Sequence, residues 1–106
     1  MSANYRATGY RRPKLRASAN AGALTSTFID APGAGKQILI WDIVVEGGSE
    51  FIREGDYNSG TLIVKVTEGH TGFVAPLALA ENKGLTVDSS GGTTHQIMVH
   101  YSIEDV

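Results

Sequence analysis

The residues of this chain with the widest chemical reach are three histidines, a group of acids and a glycine-rich loop that ends in lysine. His70, His95 and His100 are the natural candidates for proton transfer or metal ligation. His95 and His100 stand five positions apart, which on a strand sends them to opposite faces, so they share no metal without a bulge. His70 falls in a turn-forming run, residues 68–72, with no carboxylate close in sequence to orient it. Exposed or core-edge histidines are the expectation.

The loop Pro32-Gly33-Ala34-Gly35-Lys36 has part of a phosphate-binding pattern. That pattern needs glycine where Asp30 stands, serine or threonine where Gln37 stands, and a helix where a strand follows. A hairpin loop is the simpler reading. Asp56, Asn58 and Gly60 have the alternate spacing of a calcium loop, but the closing bidentate Glu is missing, and local turn chemistry accounts for them. Glu46, Glu50, Glu54 and Asp56 could supply a carboxylate pair for glycoside hydrolysis, yet a solvated rim explains them without a deep cleft. No serine sits in a nucleophile elbow, and no cysteine is present to act as nucleophile or zinc ligand. Trp41 and Tyr101 could stack on a sugar, but both fall on faces expected to be core. The chain therefore reads as non-enzymatic, with no catalytic, cofactor or metal site.

Charge placement is the stronger signal. Residues 1–29 carry five cations, Arg6, Arg11, Arg12, Lys14 and Arg16, and no acid. Residues 30–106 hold Lys36, Arg53, Lys65 and Lys83 against all eleven acids, so a basic leader precedes an acidic body. Arginines interleaved with Tyr5 and Tyr10 could neutralise phosphates and stack on bases. A body without a second basic stripe makes nucleic acid a poor partner. The preferred reading is protein docking, in which Tyr5, Arg6, Tyr10, Arg11, Arg12, Lys14 and Arg16 pair with acids and pockets on another surface.

The elements that must position these groups are strands. At 106 residues the chain affords one domain with one modest core. No run of eighteen apolar residues spans a membrane, and no apolar stretch follows the leading cations as a signal peptide requires. Absence of cysteine fits synthesis in a reducing cytoplasm. Residues 1–22 lack periodicity and read as an extended basic arm; residues 23–106 read as the folded domain. Alternation starts at Leu24 and is strongest over residues 36–46. There Leu39, Trp41, Ile43 and Val45 share one face, while Ile38, Ile40 and Val44 share the other. Apolar residues on both faces suggest a central strand covered twice, or one whose outer face meets a partner; in the preferred reading Ile38, Ile40 and Val44 meet another copy of the chain.

Further strands are expected at 49–54, at 61–67 with Leu62, Val64 and Val66 inward, at 73–80, around Leu85 and Val87, and at 95–103 with Ile97, Val99, Tyr101 and Ile103 on one face. Pro76 marks an edge or bend, and residues 76–81 are the one helical candidate, for a single turn. About seven or eight short strands with glycine-rich turns describe an all-β fold, a small antiparallel β-sandwich or jelly roll.

From Leu24 onward the chain resembles small structural proteins of tailed bacteriophages. The resemblance rests on Phe28-Ile29-Asp30-Ala31-Pro32-Gly33-Ala34-Gly35-Lys36 with Ile38-Leu39-Ile40-Trp41-Asp42-Ile43. It continues through Pro76-Leu77-Ala78-Leu79-Ala80-Glu81-Asn82-Lys83-Gly84-Leu85-Thr86-Val87 and closes on Gln96-Ile97-Met98-Val99-His100-Tyr101. Such proteins are compact β-sandwiches of the virion that serve as capsid decoration (cement) proteins or as head and tail accessory and fibre-associated domains. The resemblance implies a virion location, a homo-oligomer, commonly a trimer, and no enzymatic activity. The implied partner is the major capsid protein or another virion protein; the N-terminal arm has no place in the shared pattern, and its charge makes it the part expected to adapt the sandwich to one docking site. Two alternatives stay open: a tail, baseplate or fibre-associated component, and a carbohydrate-binding module for host glycans.

Overall fold

The structure, a computed structural model, describes residues 15–20, 27–56, 59–89 and 96–106. Seven strands run antiparallel: β1 (Leu15–Asn20), β2 (Lys36–Glu46), β3 (Glu50–Glu54), β4 (Thr61–Val66), β5 (Gly69–Ala78), β6 (Leu85–Ser89) and β7 (Gln96–Asp105). They form a four-stranded sheet in the order β1-β7-β2-β5 and a three-stranded sheet in the order β4-β3-β6. The fold is all-β, two antiparallel sheets in a small sandwich, as the turn spacing predicts. Residues 76–81 form no helix: they finish β5 and then turn.

The core comprises Ile38, Ile40, Ile43 and Val45 of β2, Ile97 and Val99 of β7, and Ile52, Val66, Leu85 and Val87 of the smaller sheet, joined by Ile29 and Leu79. A bulge changes the expected faces of β2. Ile40 pairs with Tyr101 and Asp42 with His100, so Trp41 is an extra residue without an opposite number on β7. One extra residue reverses the alternation. Ile38, Ile40, Ile43 and Val45 therefore all point inward, while Leu39, Trp41 and Val44 are half-buried outside the core. Ile38 and Ile40 are completely buried within the chain's own core. They cannot meet another copy, which corrects that expectation; of the three named residues only Val44 remains within reach of one.

The same device acts in β4. Ile52 pairs with Val64 and Arg53 with Leu62, which passes over Ile63. Val64 and Val66 pack on the core as expected, whereas Leu62 is turned out and 48% exposed.

Six residues of the segment read as arm, Leu15–Asn20, form β1 on the edge of the larger sheet. Strand β5 is the opposite edge and begins at Gly69, so the expected turn over 68–72 is mostly strand. Its pairing with β2 jumps from Gly72 to Leu77, and Pro76 lies in that interruption, the edge position that tolerates a missing donor.

Candidate functional site

On the side away from the core, the larger sheet carries a polar row at one level. Arg16 of β1 stands opposite His100 of β7, which stands opposite Asp42 of β2. Directly paired residues of antiparallel strands share a face, so these three side chains are neighbours. The His100 Nδ1 lies 2.7 Å from Asp42 Oδ1. A carboxylate only accepts, so this bond places the proton on Nδ1 and leaves Nε2 turned elsewhere. From β5, His70 brings its Nε2 to 3.9 Å from the same oxygen. Asp42 is the most enclosed of the three, with 24% of its side chain exposed against 33% for His100 and 63% for His70.

Half-buried apolar side chains flank the row, Leu39 and Trp41 towards one end of the sheet, Val44 and Met98 towards the other. Trp41 Nε1 donates to Ser102 Oγ at 2.9 Å, and Ser102 is almost fully buried although it faces outward. The bulge thus puts Trp41 on the outer face, not in the core where alternation placed it; Tyr101 does pack on the core. With its indole nitrogen engaged, Trp41 is fixed as part of the sheet surface.

The cluster suits orientation and contact better than metal binding. Asp42 Oδ1 is already engaged by His100 while His70 stands back, and among the described residues no group of three His, Cys, Asp or Glu is set to hold a metal ion. Of the sequence candidates, His95, Asn58 and the arm residues Tyr5, Arg6, Tyr10, Arg11, Arg12 and Lys14 lie outside the described residues. Arg16 is exposed on β1 and belongs to the row.

The glycine-rich loop is engaged by its neighbours. Gly33 N–H donates to Asn82 Oδ1 at 2.9 Å and Gly35 N–H to Glu81 Oε2 at 2.7 Å, so the two amides that would cradle a phosphate already have acceptors. Lys36 Nζ pairs with Asp105 Oδ1 at 2.8 Å. Lys36 N–H closes a turn on Gly33 O, yet the loop is not the hairpin expected: Ile29 before it pairs with Leu85 of β6 in the smaller sheet, while β2 after it lies between β5 and β7 in the larger one. That ion pair, by hydrogen bond and charge, lowers the Asp105 carboxyl below its ordinary range.

The clustered acids separate. Glu50 is buried, Glu46 and Asp56 are exposed, and Glu54 Oε1 accepts the Ala80 N–H at 2.9 Å, tying β3 to the segment after β5. Arg53 is held by Asp88 Oδ2 at 2.6 Å.

What sequence reasoning missed is the gathering of His70 and His100 around Asp42. The available signal was Asp42 itself, an acid interrupting the apolar run of β2. No family model matches the chain, and no curated protein or solved structure matches it either. The likeness to phage structural proteins accordingly stands on the residues quoted for it.

Proposed function

We propose that this chain is a non-enzymatic structural protein of a phage virion, a capsid decoration (cement) protein that forms a trimer and docks on the major capsid protein through its basic N-terminal segment. The observation that carries this reading is the way that segment joins the fold: it runs directly into β1, an edge strand hydrogen-bonded to β7. A partner gripped by the residues ahead of Leu15 would therefore be tethered to an edge strand of the larger sheet. Groups that could have served a reaction, the glycine-loop amides, Lys36, Arg53 and Glu54, hold the scaffold together instead.

With Ile38 and Ile40 inside, self-association falls to the outer face of the larger sheet, where Leu39, Trp41, Val44 and Met98 surround the polar row. Many weak arm contacts multiplied over a trimer give avidity, which offsets the cost of ordering each arm. An acidic body beneath a basic segment also favours contact between that segment and proteins of similar acidity.

The test is co-sedimentation of the purified protein with undecorated phage capsids, together with its mass by light scattering. Binding by a trimer at a fixed number of copies per capsid supports the reading. A monomer that ignores capsids overturns it and leaves tail assemblies or glycans as the partners to screen. Removal of residues 1–14, which keeps β1 intact, should leave a folded protein that no longer binds; retained binding removes the arm from the mechanism.

A further inference from the structure

Strand β5 is fastened to β2 in two short stretches. Gly69 to Gly72 pair with Val45 to Asp42, Leu77 and Ala78 pair with Ile40 and Leu39, and the pairing skips residues 73–76 between them. Because β5 is an edge of the larger sheet, the first stretch has β2 as its one strand partner among the described residues.

Within that stretch a gap and a ring are matched. Gly72 stands opposite Asp42 and leaves the place of a side chain empty. His70, two residues earlier and so on the same face, reaches along the strand to that place: a Cβ on Gly72 would lie 3.8 Å from both His70 Cε1 and His70 Nε2. The reach brings Nε2 to 3.9 Å from Asp42 Oδ1, too far for a hydrogen bond and near enough for a small side-chain rotation to make one.

We infer that His70 is a proton-operated latch, which closes on Asp42 when its imidazole is charged and so fastens the Gly69–Gly72 stretch of β5 to β2. A neutral imidazole offers one N–H and no charge, whereas a protonated one offers two donors and a cation. Asp42 has room for the second bond, since a carboxylate carries about four lone-pair sites and His100 Nδ1 engages Oδ1 alone.

The surrounding charges favour His70 over His100 as the responding group. From β1, Arg16 stands opposite His100 and opposes a second cation there. Arg16 is three strand spacings from His70, about 14 Å, where solvent and salt screen it. On β2, Asp42 and the exposed Glu46 flank Val44, the residue opposite His70, and the exposed Glu68 precedes β5. The ionisable groups nearest His70 on β2 and at the entry to β5 are thus acids. The latch holds while His70 is charged and Asp42 is ionised, a window of about pH 4 to 6.5, and lets go as pH rises through the histidine range. It needs no partner, so it stands or falls apart from the capsid reading.

Amide hydrogen exchange, read by NMR on the full-length protein, tests the latch. After correction for the intrinsic effect of pH, protection of the slow amides in residues 69–72 should be about threefold higher near about pH 5.5 than near about pH 7.5, the scale of a partly exposed ion pair. The amides of Ile97 and Val99 in β7 supply the reference for global stability. His70→Gln and Asp42→Asn should each abolish the rise, and His100→Gln should keep it. All three side chains lie outside the core, so the variants are expected to fold. No rise in the unaltered protein, a rise that survives His70→Gln, or one that disappears with His100→Gln overturns the proposal.

A crystal structure in mild acid gives a second readout, independent of exchange rates. There His70 Nε2 should lie within about 3.2 Å of an Asp42 oxygen. A ring turned to solvent at that pH overturns the latch.

Discussion

His100 and Asp42 meet across adjacent strands at 2.7 Å, on the face that the sandwich turns away from its core. Asp42 interrupts an otherwise apolar strand, and its bond to His100 explains how that interruption is accommodated. A double-mutant cycle with Asp42→Asn and His100→Gln should return a coupling of about 1 kcal/mol in urea denaturation. Additive losses would show the contact to be incidental.

The bulge at Trp41 makes a prediction that simple alternation inverts. Ile40→Ala and Ile43→Ala should each cost about 2–5 kcal/mol, because both leave cavities in one core. Leu39→Ala and Val44→Ala, on the outer face, should each cost clearly less. Comparable losses at Ile40 and Val44 by chemical denaturation would place them in equivalent environments and remove the bulge.

Gly84 is required by close approach. A methyl group there would stand 2.7 Å from the Ile29 carbonyl oxygen and 3.1 Å from the Ala31 nitrogen, both backbone atoms that cannot rotate aside. Gly84→Ala should therefore push residues 29–31 off the start of β6, where Ile29 exchanges backbone hydrogen bonds with Leu85. A loss of about 1–3 kcal/mol is expected, the usual cost of overpacking. Unchanged stability would mean that the segment moves freely.

The Lys36–Asp105 pair sets a dependence on acid. Since Asp105 titrates lower in the folded chain than in the unfolded one, its contribution is present above the ordinary carboxylate range and fades as pH falls through the lowered value. Lys36→Met should raise the Asp105 titration midpoint towards that ordinary range, measured by carboxyl NMR. An unmoved midpoint would show that the lysine does not govern it.

The sandwich was legible because strands of hydrophobic alternation separated by glycine turns have few other ways to bury their faces. The register within the strands was less so. Nothing local marks Trp41 or Ile63 as the extra residue of a bulge, since neither is glycine or proline; each bulge is set by what the partner strand must bury. Strand β1 was also hidden. Its inward positions, Leu15, Ala17 and Ala19, are mostly alanine, which carries little β preference, and its outward ones are short or charged. The polar row followed from neither stretch alone, because His70, His100 and Asp42 are brought together only by strand order.

The central place of β7 also has a consequence for synthesis. This strand joins β1 to β2, yet the ribosome delivers it after the other six. Until residues 96–105 emerge, β1 lacks the neighbour that holds it and the inner side of β2 waits without Ile97 and Val99. The three-stranded sheet, with its short β3–β4 hairpin, can form early, while the larger sheet must wait for its seam to be supplied. Folding is expected to close late and slowly, in the manner of folds dominated by pairings distant along the chain. During translation the exposed edges of β1 and β2 would be the surfaces most in need of a chaperone's cover.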